Sequence, residues 1–293
     1  MKTNIAVCIF MLMLFGCASS SKNEALAAQD EPLLAVTPEV KKYSSKTVWP
    51  RLNNKRDQDR LAQLILVSKT LIDPQDGVSV NNLEPGKFML YNMLSKVGLG
   101  AVLTIGLSPM QKQTLRRWRI KYMQTNSADV FFAPSADEII RTKAAFGCTH
   151  YARAFMAVVK ALGLINKPKD LRYVVSSKAD DYNHALVNQD VSATINGHQF
   201  VIVIIDSRWI AINTSKVESV PLPAEFNPND FVPPHNIPIR FQSYQDVVFL
   251  FRRIGRDWND GCGDNSLSAL MNISRSGAPG NSDFLWETFS FKN

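Results

Sequence analysis

The sequence predicts an α+β domain, a helix-rich first half followed by an antiparallel sheet. Three observations carry this. Apolar residues recur at helical spacing through "NKRDQDRLAQLILVSKTLID", "SPMQKQTLRRWRIKYMQ" opens with the helix starters Ser108 and Pro109, and "CTHYARAFMAVVKALGL" reads as a helix stopped by Gly163. Later the chain changes to short β-branched runs, "LRYVVSS", "QFVIVII" and "RWIAIN". The two patterns follow one another instead of alternating, which points away from a parallel βαβ repeat.

Size and composition allow this. The 293 residues are 45% apolar and 20% charged, enough for one good-sized core. The net charge is +7, and its densest basic run is "LRRWRIKY", which reads as a solvated helix face. No internal repeat, CxxC, HExxH or glycine-rich phosphate loop is present.

The elements follow in order. Lys2 precedes the apolar run Ile5 to Phe15, which is too short to span a membrane and reads as an export signal over residues 1–17. The next stretch, "LFGCASS", resembles a bacterial lipobox through Leu14, Gly16 and Cys17, although Phe15 departs from the small residue usual there. The resemblance implies that Cys17 is lipidated and becomes the new N-terminus. No acidic residue follows Cys17 directly, which implies an outer-membrane anchor facing the periplasm. The alternative is cleavage after "ALA" at Ala27, giving a soluble periplasmic protein. Both readings export the chain, so nucleic acid is not expected as a partner.

Residues 18–49, rich in Ala, Ser, Lys, Glu and Pro, read as a flexible tether. Residues 50–135 read as a helical N-terminal part. Within it, Gly98, Gly100 and Gly106 interrupt an apolar stretch of packed irregular or helical structure. Ser108 and Pro109 then open a helix. Ser135 with Glu138 three residues on fits a capping box. The core is expected over 136–215, with 216–293 extending the same domain. Its tail, "YQDVVFLFRRIGRDWNDGCGDNSLSALMNIS", reads as a strand or helix, a loop, then a helix capped near Asp264 or Asn265; Asp257, Trp258 and Asp260 are polar enough to rim a cleft but read better as part of a capped loop.

Cys148, after Gly147 and at the mouth of an apolar helix, is the residue to explain. Cys8 leaves with the signal, so Cys148 and Cys262 are the cysteines of the folded part. A packed thiol, a Cys148–Cys262 disulfide and a nucleophile all remain open. A helix N-terminus favours a thiolate. A nucleophilic cysteine also needs a base, and the base an orienting acceptor. His150 points about 200° around the helix from Cys148, and His235 lies in the loop "PPHN". His184 in "YNHALV" and His198 in "NGHQFV" remain.

The hairpin supplies an acceptor. If Asp206 and Ser207 form a two-residue turn, Ile205 pairs with Arg208 and Phe200 faces Asn213. Residues 198, 200, 211 and 213 then share one face, with His198 and Asn213 in side-chain reach. Asp206 is eight residues up the strand, roughly 26 Å from His198. A three-residue turn would break the match. The resulting set is Cys148, His198 and Asn213. Asparagine can orient an imidazole without carrying charge.

The segments "GCTHYARAFMAVVKALGL" and "NGHQFVIVIIDSRWIAINT" resemble the core of the transglutaminase-like superfamily. The resemblance covers about residues 144–214, with weaker support to 273. It implies a papain-like fold of the transglutaminase type, with Cys148 as nucleophile, His198 as base and Asn213 as the orienting residue. Asp206 falls in the hairpin turn of that pattern, and Trp209 matches its hairpin tryptophan. Three departures stand out: Asn213 replaces the usual aspartate, Gln199–Phe200 replaces Ala–Trp, and Ile202 stands where an acidic residue is frequent. His184 mimics the "HAW" form, which makes His184 with Asp206 the alternative dyad. The implied activity is acyl transfer on peptide or protein amides of the cell envelope, hydrolysis more than cross-linking, with no metal or organic cofactor. The competing expectation is a non-catalytic envelope lipoprotein that uses the fold to bind a peptide or partner.

Overall fold

The computed structural model describes residues 32–53, 59–73, 80–82, 85–125, 134–145, 147–165, 167–190, 195–228 and 237–255. All of these lie in one compact unit, Glu31–Asn293. The export-signal and lipidation readings at residues 1–17, the cleavage site at Ala27, His235, the polar loop after residue 255 and Cys262 lie outside the described residues.

The helices come first: α1 (Pro38–Tyr43), α2 (Trp49–Asn53), α3 (Arg60–Ile72), α4 (Pro85–Lys96), α5 (Pro109–Thr125), α6 (Ala136–Thr142) and α7 (Cys148–Ala161). Two-residue strands β1 (Asn81–Asn82) and β2 (Ala144–Ala145) pair in parallel between them. Next come β3 (Leu171–Lys178), α8 (Ala179–Val187), β4 (Gln199–Ile205), β5 (Arg208–Asn213), β6 (Glu218–Pro221), β7 (Pro238–Arg240) and β8 (Val248–Gly255). The last six strands form one sheet in the order β6-β5-β4-β3-β8-β7. Every neighbouring pair in it is antiparallel. The α+β organisation expected from the sequence is therefore present.

Side-chain caps explain the starts of α1, α3, α5 and α6. Ser135 caps α6 by accepting from Glu138 N–H at 3.2 Å. Ser108 caps α5 in the same way, accepting from Gln111 N–H, and Gln111 Oε1 accepts from Ser108 N–H in return.

The tether expectation for residues 18–49 needs correcting from residue 32 onward. Leu34, Val40, Tyr43 and Val48 are buried in the main core, beside residues of α3, α6 and α7. Burying each such side chain contributes about 1.5–3 kcal/mol, enough to order a stretch whose Lys, Ser and Pro content suggested a linker. Thr37 caps α1 and also bonds Asp137 at 2.5 Å, tying this segment to α6.

The sheet separates two apolar layers by strand alternation. Val201, Val203, Ile205 and Ile212 face the main core, which includes the buried side of α7. Phe200, Ile202 and Ala211 face the other layer, built with Phe241, Phe249 and Phe251. Since β7 and β8 contribute to both the sheet and this second layer, the sheet does not end at residue 215. The strands after it complete the same core.

Candidate active site

Cys148 begins α7. Gly147, its N-cap, has φ 100° and ψ −156°, a conformation that only glycine adopts readily. Nothing lies within 4 Å of where a Cβ would sit there. The glycine is thus needed for its backbone angles and not for a close approach of another group. Cys148 is a free, partly exposed thiol.

His198 is held by its backbone and its ring. Its carbonyl accepts from Ser176 N–H at 3.2 Å and from Ser176 Oγ at 2.5 Å. The preceding Gly197 lies so close to β3 that a Cβ would meet the Ser176 carbonyl at 2.0 Å. Only glycine lets the chain enter β4 there. The imidazole sits among Phe200, Phe241, Tyr244 and Phe249, with ring centroids 4.9–6.1 Å away.

The β4–β5 hairpin brings Asn213 to that ring. Asp206 and Ser207 form its two-residue turn, both at positive φ, and Ile205 pairs with Arg208. Asn213 Oδ1 lies 2.9 Å from His198 Nε2. Ser215 Oγ also donates to Oδ1 at 3.0 Å, while Asn213 Nδ2 donates to Ser243 Oγ at 3.4 Å. These bonds fix the amide orientation, so Nε2 carries the proton and Nδ1 holds the lone pair. The Tyr244 hydroxyl is 3.4 Å from Nδ1.

The thiol has a different partner. Cys148 Sγ donates to Gln199 Oε1 at 2.7 Å and accepts from Gln199 N–H at 3.4 Å. Thr149 Oγ1 donates to the same Oε1 at 3.4 Å. Alternation explains this. Gln199 has the parity of Val201 and points to the α7 side, whereas His198 has the parity of Phe200 and Asn213. Among the described residues the sulfur makes no hydrogen bond to the His198 ring.

No family model, curated protein or solved structure matches the chain.

Burial sets the protonation states. It lowers the His198 pKa from 6.5 to about 4; the Asn213 hydrogen bond and Glu218 oppose this, and Lys216 adds to it. Burial also raises the Cys148 thiol above its ordinary value, against the pull of backbone N–H groups of Gln199, Thr149 and Cys148 itself. Near neutral pH the resting site therefore holds a neutral thiol and a neutral imidazole.

The alternative dyad is not assembled. His184 is exposed on α8, and its ring and carbonyl both meet Asn188 Nδ2, at 3.2 and 2.8 Å. Asp206 is exposed in the hairpin turn. The "YNHALV" stretch lies in helix α8. His150 is fully buried with its ring tilted against Trp118, 6.3 Å between centroids.

Three contributors had no strong sequence signal. Tyr244 and Ser243 lie in a single 3-10 turn, Gln242–Tyr244. Glu218 carboxylate oxygens accept from Ser243 Oγ at 2.6 Å and from the N–H groups of Gln242 and Ser243, clamping that turn to β6. Among the described residues no three His, Cys, Asp or Glu side chains are placed to hold a metal ion.

Proposed function

We propose that the chain is a cysteine acyltransferase acting on peptide or protein amides, with hydrolysis as its usual outcome. The observation that carries this is the buried 2.9 Å bond between His198 and Asn213, one residue from the Gln199 that holds the Cys148 thiol. In the transglutaminase-like, papain-like reading of the core, Cys148 is the nucleophile, His198 the base and Asn213 the residue that holds the ring.

With an amide carbonyl against the helix N-terminus, the Cys148 S–H turns away from Gln199 Oε1 towards His198 Nδ1, displacing the Tyr244 hydroxyl, and gives its proton to that nitrogen. Sulfur attacks the carbonyl carbon, and the Cys148 backbone N–H faces the developing oxyanion. The C–N bond breaks as His198 returns the proton to the departing amine. Water then attacks the thioester, His198 takes its proton, and the acid is released with the thiol restored. A His198 pKa of about 4 keeps the base unprotonated at neutral pH. The leader implies a periplasmic site of action, lipid-anchored through Cys17.

A second reading is a peptide-binding envelope lipoprotein without catalysis. The thiol bonded to Gln199 and not to the imidazole favours it.

A p-nitrophenyl ester separates the two. The expected result is a burst of one equivalent of p-nitrophenol with an acyl adduct on Cys148. It should be absent in Cys148→Ser, slowed at least about 100-fold in His198→Ala and unchanged in His184→Ala. A wild-type chain that forms no adduct, or a His198→Ala variant that matches it, overturns the catalytic reading and leaves the binding one.

A further inference from the structure

The surface away from Cys148 carries a second feature. Eleven large hydrophobic side chains are exposed among the described residues, and nine of them fall between Leu90 and Met123. Isolated exposed apolar residues need no explanation, but a concentration of them in one segment does.

Their spacing shows a face. Leu90, Met93 and Val97 recur at three- and four-residue intervals, so they share one side of α4. The opposite side of α4, with Phe88 and Tyr91, packs on Leu115 and Trp118 of α5. Val102 (59% exposed) and Ile105 (79% exposed) project from the connection between the two helices. On α5, Lys112, Arg116, Ile120 and Met123 form another stripe at helical spacing.

The charge of the same segment has one sign. Residues 85–125 contain seven Lys and Arg and no Asp or Glu, in a chain whose net charge is +7. Arg117 is engaged with Glu138 of α6 at 3.0 Å. Lys112 and Arg116 have no acidic partner among the described residues. Instead they line a cavity of about 180 Å³, together with Ser95 and Thr104.

We propose that the Gly100–Thr104 connection, with Val102 and Ile105 beside it, and the adjoining Lys112–Arg116 edge of α5 dock on an anionic phospholipid bilayer. Lipid phosphates meet Lys112 and Arg116 at the cavity, while Val102 and Ile105 enter the acyl boundary. Charge complementarity selects this occupant. Bulky apolar groups beside unpaired basic groups, with no acidic residues, suit the boundary between headgroups and acyl chains. A second copy would bring two faces of like charge together, and a nucleic acid would leave Val102 and Ile105 exposed. No helix among the described residues is long and apolar enough to cross a membrane, so the contact is with the surface. This proposal is independent of the chemistry at Cys148.

The test uses the full chain carrying Cys17→Ser, which cannot be lipidated there, with phosphatidylcholine vesicles and with vesicles that also contain phosphatidylglycerol. The leader is common to all variants, so the ratio of anionic to neutral partitioning isolates the face. The wild-type face should favour anionic vesicles, and Lys112→Gln with Arg116→Gln should reduce that preference by about 30-fold. Val102→Ser with Ile105→Ser should weaken anionic partitioning while leaving the thermal midpoint unchanged. Equal binding to both vesicle types by the wild-type chain overturns the proposal. So does a preference that survives all four substitutions. A chain that ignores vesicles but retards duplex DNA, or self-associates in a way that Ile105→Ser abolishes, overturns it in favour of that other partner.

Discussion

Asn213 Oδ1 accepts a hydrogen bond from His198 Nε2 at 2.9 Å, with Asn213 0% and His198 3% exposed. A neutral amide therefore holds a neutral imidazole in one tautomer inside an aromatic box. The pairing gives His198 a defined lone pair at Nδ1 without the carboxylate that would keep the ring charged.

Asn213→Asp tests the electrostatic side of this relationship. A buried carboxylate at 2.9 Å favours imidazolium, so the His198 pKa should rise from about 4 by roughly two units. An NMR titration of the histidine Hε1 signals reads the change directly. A His198 that still titrates near pH 4 in this variant would show that the carboxylate does not face the ring.

Stability should fall on mild acidification because of the same residue. The folded-state pKa is depressed to about 4 from 6.5. Below pH 6.5 the unfolded chain binds a proton that the folded one refuses, and this loss ends near pH 4. The contribution is whole above pH 6.5 and amounts to about 3 kcal/mol lost at most. Urea denaturation of the wild type and of His198→Gln between pH 7 and pH 4 should show the wild-type slope removed in the variant.

Gln199→Met removes the acceptor of the Cys148 S–H while roughly keeping side-chain volume. The protonated thiol loses its 2.7 Å bond, and the backbone N–H of Gln199 remains to support the thiolate. Iodoacetamide should then alkylate Cys148 several-fold faster at a fixed mildly alkaline pH, with a lower apparent pKa. An unchanged labelling profile would mean that Gln199 does not set the state of the thiol.

Ser207→Gly bears on the hairpin that carries Asn213. Asp206 and Ser207 both sit at positive φ, at 48° and 65°. A non-glycine residue there costs roughly 1–2 kcal/mol, part of which glycine recovers against its own unfolded-state entropy. The variant should be more stable by about 0.5–1 kcal/mol in equilibrium unfolding, with His198 and Asn213 undisturbed. A destabilised variant would show that the Ser207 side chain contributes more than its backbone strain.

Several features were legible in the sequence because their causes are local. A two-residue turn at Asp206–Ser207 and the period of two along each strand suffice to put His198, Phe200 and Asn213 on one face. Gly147 before a largely apolar run marks the start of α7 at Cys148. Ser108 and Ser135 mark helix starts because each cap is satisfied within three residues.

Other features depended on partners far away in the chain. Cys148 and Gln199 are 51 residues apart, and His198 and Tyr244 are 46 apart. No local pattern states which side chain of β4 will meet the tip of α7. Leu34, Val40, Tyr43 and Val48 belong to a polar-looking stretch, and only the cavity left for them among α3, α6 and α7 makes their burial favourable. His184 sits in a likeness to the "HAW" motif, and helix α8 carries it to the surface. The sequence by itself determined the starts of α5, α6 and α7, the β4–β5 hairpin and the pairing of His198 with Asn213, since caps, turn angles and alternation act over a few residues. Tertiary packing alone decided what holds the thiol and where the imidazole's free nitrogen faces, since those contacts form only when helix, sheet and the 242–244 turn close on one another.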